Sequence, residues 1–196
     1  FFPDNKGWDL AKARRKQSQD IQILASGKKL QPCLLIYDNG EGQEPEAFPE
    51  TFLSMLKGNK SEIHFVQGRY NMGGSGALVF CGKKRYQLVA SARASGSGYL
   101  GFTLVRKHPM SETERLTKRN TWYEYFCPGG KIPKFLMSGP VDVGLVERGF
   151  QSGALIKLYD YGLPEGSRSV ISKDLHQSIN EFLFQPALPL LTVDNA

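Results

Sequence analysis

Two apolar runs, residues 85–93 and 99–106, parted by Gly96-Ser97-Gly98, restrict the fold of this 196-residue chain more than any other stretch. Each has the length and the aliphatic and aromatic content of a strand, and a glycine-serine turn between such runs folds them back into an antiparallel meander. The same signal recurs along the chain. Residues 20–25 alternate apolar and polar as a half-buried strand does, residues 32–37 form the near-continuous apolar run of a central strand, and 121–126 and 154–160 add two more strands. Helical patterns fall at 8–19, at 49–56, where Pro49 suits a first turn and Phe52, Leu53 and Leu56 share a side, and at 172–184. Irregular connections are expected through the glycines and prolines of 126–153. Segregated helices over a largely antiparallel sheet make an α+β protein of two layers.

Composition removes several classes of function. With 40% hydrophobic, 22% charged and 11% aromatic residues the chain is neither an acidic disordered tail nor a low-complexity fibre. No apolar run reaches the roughly 18 residues of a spanning helix, so no membrane partner is expected. The opening residues Phe1-Phe2-Pro3-Asp4-Asn5 lack the pattern of a secretory signal. Cys33, Cys81 and Cys127 are odd in number and form no Cys-x-x-Cys pair, which argues for a reducing, cytoplasmic setting. His64, His108 and His176 show no metal-ligand spacing, and no metal ligand is assigned. A net charge of +6 permits contact with nucleotide phosphates or nucleic acid, with Arg115 to Tyr125 the basic and aromatic run suited to the latter.

Two segments carry the chemistry. Asp38-Asn39-Gly40-Glu41-Gly42 ends the second apolar run, and Gly68-Arg69-Tyr70-Asn71-Met72-Gly73-Gly74-Ser75-Gly76 leads into Ala77-Leu78. Asn-Gly is a common hairpin turn, but here an acidic, proline-containing segment and a short helix follow instead of a partner strand. Asp38 is therefore expected at an open strand end. The second segment puts four glycines into nine positions before turning apolar, as suits a loop that brings backbone N–H groups close to an anion at a helix start. A carboxylate such as Asp38 only accepts hydrogen bonds, so it pairs with the amino group of adenine and repels the carbonyl oxygen of guanine. One charge-assisted bond of about 1.5–3 kcal/mol gives a tenfold to hundredfold preference, very roughly.

These residues resemble the GHKL ATPases, the group of the gyrase B subunit, the large heat-shock chaperone, histidine kinases and MutL. Asp38-x-Gly40-x-Gly42 is similar to their Asp-x-Gly-x-Gly box, Gly68 through Gly76 to their glycine-rich lid, Lys57-Gly58-Asn59-Lys60-Ser61 to the loop before it, and Gly153-Ala154 to their Gly-Thr element. The likeness spans roughly residues 20–160. It implies the Bergerat fold, a mixed sheet with helices on one face, and ATP held with Mg2+ by Asp38, Asn39, Gly40, Gly42, Lys60, Gly68, Arg69, Asn71, Gly73, Gly74, Ser75, Gly76 and Ala77. It also implies dimerisation on nucleotide binding.

Departures from the family pattern bear on hydrolysis. The helix with the magnesium-holding Asn and water-activating Glu is not found before the strand at 20–25; either it lies upstream of Phe1 in a longer protein, the option a start at Phe1 supports, or this branch has lost it. Asn71 stands where the lid commonly has glycine, and Ala154 where threonine is usual. No catalytic residue is assigned, and ATP binding rests on more of the sequence than hydrolysis does. Residues 1–165 are expected to form the nucleotide-binding domain and 166–196 a helix and the start of a following unit. A phosphotransferase of histidine-kinase type, a non-hydrolysing nucleotide sensor and a nucleic-acid-binding module are the alternatives.

Overall fold

The computed structural model describes residues 7, 9–54, 76–162, 171–182 and 188–195. The alternation at the start of the sheet yields β1 (Ile21–Lys28) and β2 (Gln31–Asp38), an antiparallel hairpin in which Ile21 faces Asp38 and Lys28 faces Gln31. The meander forms as expected: β3 (Gln87–Ala92) pairs antiparallel with β4 (Tyr99–Lys107). Two short strands, β5 (Tyr123–Tyr125) and β6 (Lys134–Leu136), pair with β4. The chain then returns as β7 (Gly153–Leu158), which inserts between β3 and β2 and is antiparallel to both. Finally β8 (Leu191–Asn195) adds to β1 in parallel. The order is β5-β4-β3-β7-β2-β1-β8, an open, mostly antiparallel eight-stranded sheet with few helices, and the protein is α+β.

Among the described residues α-helices run as α1 (Leu10–Ser18), α2 (Glu112–Thr117) and α3 (Ile171–Phe182). The first and last match the helices expected at 8–19 and 172–184. The segment beginning at 166 thus carries α3 and β8, and β8 is hydrogen-bonded to β1 of the main sheet. The helix expected at 49–56 is instead a 3₁₀ helix over Pro45–Glu50. Pro49 lies inside it and has no N–H to give to an α-helical ladder. Residues 78–80, which the sequence leaves open between helix and strand, also form a 3₁₀ turn (Leu78–Phe80). Among the described residues no helix is long and apolar enough to cross a membrane.

Strand alternation gives the sheet two distinct faces. On the front face Ile36, Ile156 and Val89 lie side by side in register. Phe48, Phe52, Leu53 and Leu78 pack there against Val89, Val105 and Ile132, while Ala77, Cys81 and Tyr161 pack around Ala25, Leu34, Ile36, Ile156 and Leu158. Gly101 lets the 3₁₀ helix settle, since a Cβ there would come 2.8 Å from the Pro45 ring. On the back face Phe150, Met137, Val143 and Leu145 cover Tyr37, Ala90, Leu100 and Leu155. Gln22, fully buried, fastens that covering segment: its amide donates to the Gln19 and Val146 carbonyls and accepts from Val146 N–H at 2.9 Å.

Candidate nucleotide site at the end of β2

Asp38 is the last residue of β2, exposed on the front face, and its strand neighbour is Ala154, which in turn lies beside Ser91 on β3. No partner strand follows. The Gly40 N–H donates to Asp38 Oδ1 at 3.0 Å, the Asn39 N–H donates to the Asp20 carbonyl at 2.7 Å, and residues 40–44 then cross the ends of β7 and β3. Asp38 thus stands at an open strand end, as its sequence context requires.

The crossing is held by backbone contacts too close for side chains. Gly153 has φ +98, and a Cβ on it would fall 1.9 Å from the Asp38 carbonyl oxygen; Gly42 has φ +68, and its Cβ would fall 2.0 Å from the Ala92 carbonyl oxygen. The resemblance counts Gly42 among the residues that hold the nucleotide. The described contact is instead with the protein's own β3, so that glycine is needed for the loop to close at all. Gly40 differs: its missing Cβ would meet Asp38 Oδ1 at 2.5 Å, which keeps the Asx turn intact.

Ser91 joins these parts, and the sequence alone does not single it out. It is fully buried, its hydroxyl donates to the Gly153 carbonyl at 2.6 Å and accepts the Gln43 N–H at 2.9 Å. Its signal is one hydroxyl within the apolar run Leu88-Val89-Ala90-Ser91-Ala92, which a lone sequence does not separate from a solvent-facing strand position. Further out, Arg93 pairs with Glu41 at 2.8 Å and Glu44 accepts both the Ser97 N–H and hydroxyl. Those two bonds hold the Glu44 carboxyl below its ordinary range.

Asn39 lies beside Asp38 in sequence but its side chain is engaged elsewhere. Its amide donates to Asp20 Oδ1 at 2.9 Å, and its amide oxygen accepts from the Tyr37 hydroxyl at 3.2 Å. Arg148 donates to the same Asp20 oxygen at 2.8 Å and lies over the Tyr37 ring. Asn39 therefore acts as a tie between β1, β2 and the back-face covering segment. Burial pushes the Tyr37 hydroxyl above its usual pKa, so it stays a proton donor.

The described end of the glycine-rich segment reaches the same face. Gly76 is exposed with open space around its Cβ direction, and Ala77 packs against the cluster that includes Ile36 and Ile156. Ile36 precedes Asp38 by two residues on one strand, a separation of about 7 Å along it. Lys60, Gly68, Arg69, Asn71, Gly73, Gly74 and Ser75 lie outside the described residues. The corner that is described therefore gathers Asp38, Gly40, Gly42, Ser91, Gly153 and Ala154, with Gly76 and Ala77 on the adjoining floor.

Other candidate chemistry is taken up structurally. Cys81 is fully buried and its thiol is pushed up by burial, which disfavours the thiolate. Among the described residues no group of three or more His, Cys, Asp or Glu is placed to hold a metal ion. The aromatic run at 121–126 is anchored at Trp122, whose ring stacks on His108 at 4.1 Å and lies under the Lys118 ammonium at 4.0 Å. No protein-family model matches the chain, and no curated protein shows significant similarity to it.

Proposed function

We propose that this chain is the ATP-binding part of a GHKL-type ATPase with a Bergerat-like arrangement. The observation that carries this reading is the convergence of Asp38, Gly42, Gly153 and Ala154 at an open strand end, on the face where the glycine-rich segment ends at Gly76 and Ala77. An exposed carboxylate fixed by an Asx turn, flanked by a small Ala154, offers an acceptor to the adenine amino group. Ile36 and Ile156 supply an apolar floor beside it. The glycine-rich segment, entering from the same side, would cover the phosphates with backbone N–H groups, with Lys60 and Arg69 as cations.

ATP supplies the phosphoanhydride whose binding or cleavage would drive closure of that segment. Closure would pass to downstream domains through α3 and β8, since β8 pairs with β1 and β1 with β2. Magnesium belongs to the reading through the nucleotide phosphates, but the described residues offer no cluster suited to it, and no ligand is assigned. Nucleotide-dependent dimerisation belongs to it through the same resemblance. A nucleic-acid module is less favoured, because the Trp122 ring is already engaged by a stacked His108 and the Lys118 ammonium.

Calorimetric titration with ATP and GTP tests the reading. ATP is expected to bind about tenfold to hundredfold more tightly, and Asp38→Asn to remove most of that preference while thermal stability is retained. Equal affinity for the two nucleotides would overturn it. Phosphate release by the full-length protein then separates an ATPase from a nucleotide sensor, and phosphate transfer to a protein histidine would identify the phosphotransferase.

A further inference from the structure

Among the described residues the back face of the sheet is incompletely covered. Beside the Phe150 cluster lies a hollow of about 380 Å³ whose lining includes Leu35, Leu88, Phe102, Val143 and Leu155, with one charged residue, Lys157. The volume is at the lower end of the range of small-molecule sites, about 300–1,000 Å³. Lys157 lies on β7 between Leu35 of β2 and Leu88 of β3, so its half-buried side chain rises from an aliphatic floor. Its ammonium is 5.4 Å from the Tyr159 ring centre, and among the described residues no carboxylate pairs with it. A cation set among apolar side chains is stabilised by an anion brought to it in a poorly hydrated setting. Phe135, 44% exposed, extends the apolar lining to the rim.

We propose that this hollow binds a free amphiphilic carboxylate, a medium-length acyl chain that lies along Leu35, Leu88 and Leu155 with its acid group on Lys157. At about 30 Å³ per water-sized group the hollow takes roughly ten to twelve heavy atoms, the size of an eight- to ten-carbon acid. The site is separate from the Asp38 corner, because Lys157 and Ile156 point to opposite faces of β7. Binding is therefore expected without nucleotide.

Calorimetric titration of the whole chain with octanoate and decanoate, below their micellar concentrations, tests this. Affinity is expected to rise about fourfold per added methylene until the hollow is filled. Decyltrimethylammonium, with the same tail and opposite charge, should bind at least about tenfold more weakly. Lys157→Met should weaken decanoate by about tenfold and Lys157→Arg should preserve it. In the unaltered protein, methyl resonances of Leu88, Val143 and Leu155 should shift on decanoate addition, a readout that needs no variant to fold. Equal binding of the anionic and cationic amphiphiles, shifts confined to the front face, association with phospholipid vesicles but not with monomeric decanoate, or no saturable binding would each overturn the proposal.

Discussion

The corner around Asp38 and the outer margin around His108 are built from opposite materials. At the corner, backbone meets backbone: Gly42 and Gly153 touch the carbonyls of Ala92 and Asp38, and one buried hydroxyl, Ser91, ties the pieces. At the margin, side chains carry the connections. His108 ring nitrogens lie 2.7 Å from Glu124 and 3.1 Å from Glu114, Arg106 pairs with Glu124 at 2.6 Å, and Lys118 and His108 enclose Trp122. The Ser111–Glu114 capping box seats α2 in the same cluster. Backbone contact of this closeness admits no side chain but is indifferent to pH and salt. Charged contacts behave in the reverse way, tolerating substitution and responding to the medium.

The largest effect that tests this contrast is expected from Gly153→Val. Its Cβ would overlap the Asp38 carbonyl and its φ of +98 is foreign to a β-branched residue, so a loss of about 3 kcal/mol or more in denaturant unfolding is expected. Gly42→Ala should cost less, about 2 kcal/mol, and should weaken nucleotide binding as the 40–44 crossing shifts. Ser91→Ala leaves the Gln43 N–H and the Gly153 carbonyl without their shared partner, an expected loss of about 1–2 kcal/mol on thermal unfolding. If these three substitutions proved no more costly than exposed surface changes, the corner would not be the rigid element described.

The smallest effect belongs to the margin and is seen in pH. Hydrogen bonds to Glu124 and then Glu114 raise the His108 pKa above 6.5, so its contribution is complete below 6.5 and is lost as pH rises through the folded value. Glu114 is lowered from 4.5 to about 2, chiefly by the Ser111 N–H and then His108, so its contribution is present above 4.5 and fades as pH falls toward 2. The strut should be firmest between pH 4.5 and 6.5. Trp122 fluorescence in a Trp8→Phe background should titrate with a midpoint above 6.5, and His108→Gln should abolish that titration. A midpoint at or below 6.5 would show that the two glutamates do not hold the imidazolium.

Much of the architecture is written in local pattern. Period-two alternation and Gly96-Ser97-Gly98 specify β3 and β4, and the apolar run ending at Asp38 specifies β2 and its open end. The 3₁₀ helix shows a limit of the same reasoning: Phe52 and Leu53 have helical spacing, but Pro49 acts by the hydrogen bond it lacks. Of the candidate site, Asp38, Gly40 and Gly42 are readable from their spacing. Ser91 is not, because its role depends on Gln43 and Gly153, which are remote in sequence and adjacent only in the folded sheet. Asn39, which the resemblance counts among the ATP-holding residues, is instead bonded to Asp20 and Tyr37, partners that only the folded β1–β2 hairpin brings to it.

The sequence by itself located the middles of β1 to β5 and β7 and the turn between β3 and β4, since side-chain alternation and turn conformation act over a few residues; β6 lies in the stretch 126–153 that local pattern marks as irregular. Only the tertiary structure decided that β7 enters between β2 and β3 and so brings Gly153 and Ala154 to Asp38. The physical reason is that backbone N–H and C=O groups are alike in every strand. Which edges meet is settled by the packing of both faces at once, Phe48 and Leu78 on the front and Phe150 on the back.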